Sequence, residues 1–469
     1  MKIMKFGGTS VQDAARLRTT AQIILEESKR ERVAIVLSAM RGVTDSLIHA
    51  AREAERGGSR YLDLIQAIAD RHETAIDDLL PNAAAGAGGS EESHAAVRSL
   101  LEDLRNILRG VELIRECSVR SMDLIMSFGE RLNCTLAAAY LRSLGLEADY
   151  VDARSMIVTD DAHGHAEVDY EATNPAVRRR LEGVTGIPII TGFIAATPGG
   201  ATTTLGRDGS DYTASIIGAA LRAEIIEIWT DVDGVLSADP RLVEHAFVVP
   251  ALSFQDAMEL SYFGAKVIHP GTMIPAVRED IPIRIRNTFH PEAPGTLISK
   301  SAARLDKDIT GIASIENVAL INVEGGGMIG VRGVASRVFK ALADADVNVI
   351  MISQASSEHS ICLVCRESEA QAAVKSLERE LVREVRAGKV ERFQVLTDLE
   401  IVAVIGENMR GTPGISGRLF SALGEEKINV LAIAQGSSER NISFVVARSE
   451  SKRALNTVHA AFLEQGGKR

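Results

Sequence analysis

Cysteine is scarce: Cys117, Cys134, Cys362 and Cys365 are the only four in 469 residues. That is too few for a disulfide scaffold and fits a reducing compartment. Aromatic residues make up 4%, with a single tryptophan. There is no basic excess. Lys and Arg number 52 against 63 Asp and Glu, a net charge of −11, which argues against a nucleic-acid surface. An anionic ligand would have to be held by a few cations inside a cleft. No apolar run reaches the roughly 18–20 residues of a membrane span. No continuous apolar stretch follows the Lys2-Ile3-Met4-Lys5 start, so no signal peptide is expected. A soluble cytoplasmic protein is expected.

What is present begins at residue 2. Lys2–Phe6 reads as a strand, Gly7-Gly8-Thr9-Ser10 as a glycine turn, and Val11-Gln12-Asp13 as the opening of a helix with Ser10 as N-cap. Glycines let backbone approach a ligand, and free N–H groups at a helix start favour anions. Lys5, at the strand end, is aimed at the same spot. A tight turn beside a solvated lysine reads equally well from this stretch alone. No Gly-Lys-Ser/Thr closes it, so it is not a P-loop.

The length predicts two to four domains. Strand and helix alternate over the first 300 residues. A strand is expected at Arg32–Leu37, a loop over Ser38–Asp45, and helix from Ser46. Helices follow at Tyr61–Leu80, Glu92–Leu108 and Cys117–Leu144, with Pro81–Ser90 as a flexible connector. Strands are expected at Ala148–Asp152, Ala166–Val168, Ile187–Ala195, Glu224–Trp229, Ile281–Ile285 and Thr296–Ser299. The loop Thr202–Ala214 gathers a guanidinium (Arg207), a carboxylate (Asp211) and Ser210 before a helix running to about Leu221, a second anion site. Thr230-Asp231-Val232-Asp233-Gly234 leaves a strand end, where α/β sheets bind ligands. It lacks the later ligand spacing of a calcium loop. No nucleophilic Ser–His pair is evident.

Five strings occur in order: Lys5-Phe6-Gly7-Gly8-Thr9-Ser10, Ser127-Phe128-Gly129-Glu130, Leu205-Gly206-Arg207-Asp208-Gly209-Ser210-Asp211, Thr230-Asp231-Val232-Asp233-Gly234 and Gly264-Ala265-Lys266-Val267-Ile268-His269-Pro270. Together they resemble the aspartate kinase family, within the wider amino-acid kinase fold. The resemblance implies an α/β fold, a three-layer αβα sandwich over residues 1–300. It implies MgATP-dependent phosphorylation of the L-aspartate side-chain carboxylate, with ATP and Mg2+ required and no dedicated metal-ligating residue. By position it makes Lys5 and Asp211 the catalytic pair, Asp211 orienting the lysine on the transferring phosphate. It assigns Gly7, Gly8, Ser38, Ser210, Thr230, Asp231, Leu236, Arg241, Lys266 and Val267 to phosphate and nucleotide. Thr44, Glu130 and Arg207 would bind aspartate, Glu130 at the α-ammonium and Arg207 at the α-carboxylate. Leu236 stands where many relatives have a larger residue, and Asp208 where a glycine is frequent.

The last 150 residues repeat. Val338-Phe339-Lys340-Ala341-Leu342 and Asn348-Val349-Ile350 recur 81 positions on as Leu419-Phe420-Ser421-Ala422-Leu423 and Asn429-Val430-Leu431. Gln354-Ala355-Ser356-Ser357-Glu358 recurs as Gln435-Gly436-Ser437-Ser438-Glu439. Each copy reads as a βαββαβ unit. The copies resemble ACT domains, ferredoxin-like α+β units that bind amino acids. A linker over 301–314 and repeats over 315–390 and 396–469 are expected. Asn348, Gln354, Asn429 and Gln435 are the expected effector contacts, and a strand borrowed from the chain end is one option for the first unit. Threonine is the first expectation for the effector and lysine the second, with a homodimer or larger assembly through exposed sheet edges. The sequence stops at Arg469, so no fused homoserine dehydrogenase is expected. A catalytically silent amino-acid sensor and a kinase for another acidic amino acid stay open as alternatives. Two spellings mislead. Gly325-Gly326-Gly327-Met328-Ile329-Gly330 lacks the acid a dinucleotide site needs on the next strand. Cys362 and Cys365 lie three apart on a strand, hence on opposite faces.

Overall fold

A computed structural model describes residues 1–80, 89–264, 268–300, 307–326, 333–354 and 360–464. It divides into two compact units: Met1–Val235 with Pro250–Phe254 and Val267–Ala302, and Leu236–Val249 with Gln255–Lys266 and Ala303–Arg469. Among the described residues no helix is long and apolar enough to cross a membrane.

The first unit is built on an eight-stranded sheet. Its order is Ala148–Val151, Ile187–Thr191, Val33–Leu37, Lys2–Phe6, Ile225–Thr230, Ile283–Asn287, Thr296–Ile298 and Ala251–Leu252. All neighbours are parallel except Thr296–Ile298 against Ile283–Asn287. The central strand Lys2–Phe6 is buried throughout, as a strand covered by helices on both faces must be. Its alternation decides what each face carries. Met4 and Phe6 enter a core shared with the helices Ala14–Ser28, Val43–Glu55, Tyr61–Leu79, Ser90–Ile114 and Phe128–Ser143. Ile3 and Lys5 face the opposite layer, where the helix Gly209–Leu221 packs so closely that a Cβ on Gly218 would stand 2.7 Å from Ile226. This is the expected αβα sandwich.

Several local readings change. The first helix begins at Ala14, capped by Asp13, which accepts from Arg16 N–H at 2.9 Å. Ser10 is not the cap: its hydroxyl is bonded to Thr288 Oγ1 at 2.7 Å. That distant partner takes the hydroxyl away from the local turn, and the glycine turn does not run straight into a helix. The helix expected from Ser46 starts at Val43, after Gly42 with φ of 80°, which puts Thr44 in its first turn. Cys117–Leu144 is two helices, Val119–Met126 and Phe128–Ser143, meeting at Ser127. Ala166–Val168 is no strand; Val168 makes one bridge to Thr159. Most of the expected connector (81–88) lies outside the described residues, and Ser90 opens a helix.

The second unit holds a six-stranded antiparallel sheet in the order Met351–Gln354, Ser360–Arg366, Gly311–Glu324, Arg392–Ile405, Asn441–Ala447 and Ala432–Gln435. The repeat is visible in backbone detail: helices Val334–Asp344 and Ile415–Glu425 start after Gly333 and Gly414, with φ of 88° and 90°. Each repeat has its own core. The two long central strands are shared. Residues 320–324 pair with 392–396, and residues 311–315 with 401–405. The second repeat therefore takes its outer strand from upstream of the first, and the chain end contributes none among the described residues. Cys362 and Cys365 both lie on Ser360–Arg366 as free thiols, and Gly327–Gly330 lie outside the described residues.

Candidate active site

The C-terminal ends of the central strands open into a cavity of about 350 Å³ in the first unit. Lys5, Gly8, Ser38, Thr44, Glu130, Ser210 and Asp211 all line it. Four separate stretches of chain supply them, and each residue arrives by ordinary local rules. Lys5 points from the strand face opposite Phe6. Asp211 sits in the first turn of Gly209–Leu221, where a negative charge is favoured. Gly8 lets two loops meet: a Cβ there would stand 3.0 Å from the Ala39 carbonyl. Arg41 N–H donates to the Gly8 carbonyl at 3.1 Å. Asn133 Nδ2 holds the Ser38 carbonyl at 2.6 Å, fixing the next loop.

Two carboxylates dominate the electrostatics. Lys5 Nζ lies 2.7 Å from Asp211 Oδ1, with both side chains about nine-tenths buried. Burial pushes the Asp211 carboxyl above its ordinary range, and Lys5 opposes that. Glu130 is 3% exposed. One of its oxygens accepts the Ala39 N–H at 3.1 Å; the other is buried with no hydrogen-bond partner among the described residues. Burial raises its pKa to about 8, the Ala39 N–H offsetting only part. An unsatisfied buried acceptor on the wall of a cavity suits a ligand that brings a donor, above all an ammonium.

The remaining expected residues are placed differently. Gly7 does not line the cavity. Its N–H bonds the Trp229 carbonyl at 3.0 Å, and a Cβ there would meet Lys5 Nζ at 3.6 Å. Arg207 stands between two lining residues, Gly206 and Asp208, but its own side chain is 74% exposed, with Nε 3.8 Å from Asp208. Thr230 and Asp231 leave the strand beside Lys2–Phe6 without lining the cavity. Asn287 and His290 hold their loop through Asp233, at 2.6 and 3.0 Å. Leu236 and Arg241 fall in the second unit, Leu236 bridging Val248 and Arg241 bound to Asp239. Lys266 and Val267 lie outside the described residues. In the second unit Gln354 and Gln435 end matching strands and are exposed; Ser416 Oγ is 3.5 Å from Gln435 Oε1. Asn348 and Asn429 donate backbone N–H groups to Glu369 and Glu450 at 3.3 and 3.4 Å.

Sequence reasoning gave no site role to Arg41, Asp45, Phe193 or Asp208, which also line the cavity. Phe193 has φ of 67°, uncommon for a bulky residue. The strand expected over Ile187–Ala195 is broken there into Ile187–Thr191 and Ile194–Ala196, and Gly192 was the available clue.

Residues 1–287 match the model of the amino acid kinase family, and residues 321–381 and 402–462 each match an ACT domain. Aspartokinase 1, chloroplastic, of Arabidopsis thaliana is 35% identical, over 99% of this chain and 80% of its own length. Bifunctional aspartokinase/homoserine dehydrogenase 2, chloroplastic, of the same plant is 40% identical over 98% of this chain. The chain spans about half the length of that bifunctional relative. The fold is similar to E. coli aspartokinase III, 30% identical, in complex with aspartate and ADP (R-state; TM-score 0.81, 99% of this chain and 100% of that chain). It is also similar to that enzyme with lysine and aspartate (T-state; TM-score 0.78, 99% of each chain). The chain belongs to the amino acid kinase family and, within it, to the aspartokinases.

Proposed function

We propose that the chain transfers the γ-phosphoryl group of ATP to the side-chain carboxylate of L-aspartate, giving 4-phospho-L-aspartate and ADP. This would be the first committed step toward lysine, threonine and methionine. A carboxylate is already ionised at neutral pH, so no general base is needed. The obstacle is the approach of two anions, which repel by roughly 4 kcal/mol at 4 Å for an effective dielectric near 20. Lys5 meets that obstacle: its ammonium neutralises charge on the moving phosphoryl while Asp211 holds it in place. Gly8, Ser38 and Ser210 offer N–H and O–H donors to phosphate oxygens, while Gly7, whose N–H is held by the Trp229 carbonyl, keeps the backbone slim beside Lys5. Thr230 and Asp231, at the end of the strand beside Lys2–Phe6, serve the nucleotide. Glu130 takes the α-ammonium, Thr44 flanks it, and Arg207 turns inward to the α-carboxylate. Mg2+ would supply further positive charge at the phosphates. Such sites combine phosphate oxygens with one or two carboxylates, and Asp208 and Asp211 line the cavity.

The observation that carries this reading is the meeting of the Lys5–Asp211 pair and the unsatisfied Glu130 oxygen in one cavity. A silent sensor would have no use for a buried cation held at the strand end. Residues 1–300 form the catalytic part in this reading, and the repeats at 315–390 and 396–469 the regulatory part. There Asn348, Gln354, Asn429 and Gln435 would contact an effector, threonine first and lysine second. Ile352 and Ile433, 46% and 43% exposed on outer strands, support assembly of two or more chains through the repeats. A cytoplasmic setting belongs to the same proposal, with an organelle as the alternative.

The test is ATP turnover against a panel of amino acids, with and without added threonine and lysine. Turnover with aspartate alone, depressed by one of the two effectors, is expected. Turnover with glutamate in preference to aspartate would overturn the reading.

A further inference from the structure

Asp123 is a fully buried carboxylate on the helix Val119–Met126 and does not line the cavity. Both its oxygens are engaged. Oδ1 accepts the Thr204 hydroxyl at 2.6 Å. Oδ2 accepts His163 Nδ1–H at 2.7 Å and the Gly164 N–H at 3.0 Å. Burying a carboxylate is expensive unless it is well bonded, and a neutral side chain would suffice for packing.

What lies on either side of Asp123 gives the cluster its meaning. After Asp123 the chain passes through Ser127 into the helix Phe128–Ser143, whose first turn carries Glu130. Thr204 ends a strand that leads through Gly206 into Arg207. The segment 163–166 joins the two. Ala166 N–H donates to the Thr204 carbonyl at 3.0 Å, and a Cβ on Gly206 would stand 3.3 Å from His165 Cβ. One carboxylate therefore ties the segment bearing Glu130 to the segment bearing Arg207.

We infer that Asp123 is a positioning residue that sets the spacing between Glu130 and Arg207, so that one site reads both the ammonium and the α-carboxylate of the amino-acid substrate. The inference rests on the roles proposed above for those two residues. Asp123 touches neither substrate nor nucleotide; it acts through Thr204 and the 163–166 segment.

The test compares Asp123→Asn and Thr204→Val with the unaltered full chain, measuring Michaelis constants for aspartate and ATP together with thermal unfolding. Asp123→Asn keeps the shape but turns an amide donor toward groups that themselves donate. The expected result is a rise in aspartate KM of roughly ten- to hundredfold, with ATP KM changed by less than about twofold. Thr204→Val removes only the Oδ1 contact, and a smaller rise in aspartate KM alone is expected. It decides the matter if Asp123→Asn fails to fold. A folded variant whose aspartate KM is unchanged, or whose two constants rise together, overturns the inference while leaving the functional reading intact. An unaltered chain that does not phosphorylate aspartate overturns both.

Discussion

Lys5 Nζ and Asp211 Oδ1 stand 2.7 Å apart, a cation from the central strand and an anion from the first turn of a helix 206 residues on. Each side chain is about nine-tenths buried. Deleting one partner of such a pair commonly costs about 3–5 kcal/mol, because the other is left charged and buried. Asp211 has an escape, since burial already raises its pKa and it can take up a proton. Lys5→Met is therefore expected to stay folded while kcat falls by at least about a hundredfold, the scale of losing one transition-state donor. Steady-state kinetics beside a thermal melt check this.

Glu130 makes aspartate binding pH-dependent. Its pKa is raised to about 8 by burial, so the free protein holds a proton there at neutral pH. An ammonium pairs with the carboxylate form, so binding below that pKa must expel the proton. Aspartate affinity is expected to rise with pH up to about 8, by at most about tenfold per pH unit, and then level. Glu130→Gln should bind weakly with this step absent. Because the folded-state pKa is the higher one, Glu130 stabilises the fold at low pH, and that contribution is lost as pH rises through about 8. Calorimetric titration of aspartate at a series of pH values checks the first effect, and unfolding midpoints the second.

Gly129 is where the Glu130 helix touches the loop that feeds it. A Cβ at Gly129 would stand 2.8 Å from the Ala39 Cβ, and Ala39 supplies the N–H bound by Glu130. Gly129→Ala should push that loop away, lowering stability by about 1–3 kcal/mol as overpacked sites do and raising aspartate KM more than ATP KM. Denaturant unfolding and the two Michaelis constants measure it.

His72 reports on the fold alone. It is fully buried, with Nδ1 2.8 Å from the Ile68 carbonyl and Nε2 without a partner among the described residues, and burial lowers its pKa to about 4. The unfolded chain takes up this proton near pH 6.5. Its contribution is full above that pH and is lost as pH falls toward 4, by up to about 3 kcal/mol. His72→Leu should flatten the acid limb of the stability curve relative to the unaltered chain; parallel limbs would contradict this.

Much of the cavity lining was legible because its residues lie in or near short strings that together resemble one family, at or just after strand ends or in the first turns of helices. Lys5, Gly8, Ser38, Thr44, Glu130, Ser210 and Asp211 were named from the sequence, and the fold brings them to one cavity. Ser10 was misread because a local cap rule competes with a bond to Thr288, 278 residues away, which no local pattern reveals. Arg41 and Asp45 escaped notice because polar residues in a loop look alike until the loop is folded over a cavity. Asp123 was passed over as one more polar position in a helix. Its weight comes from Thr204 and His163, which topology alone brings to it. The repeat was legible in residues 81 apart, whereas the sharing of strands Gly311–Glu324 and Arg392–Ile405 was not, because pairing leaves no mark on either strand's own pattern.

The most direct measurement mixes the protein with MgATP and L-aspartate in the presence of hydroxylamine, which traps an acyl phosphate as a hydroxamate, and follows ADP in parallel. The account predicts aspartate-dependent hydroxamate in step with ADP, abolished by Lys5→Met in a folded protein. ADP formed without hydroxamate, or equal hydroxamate from the Lys5→Met variant, would contradict it.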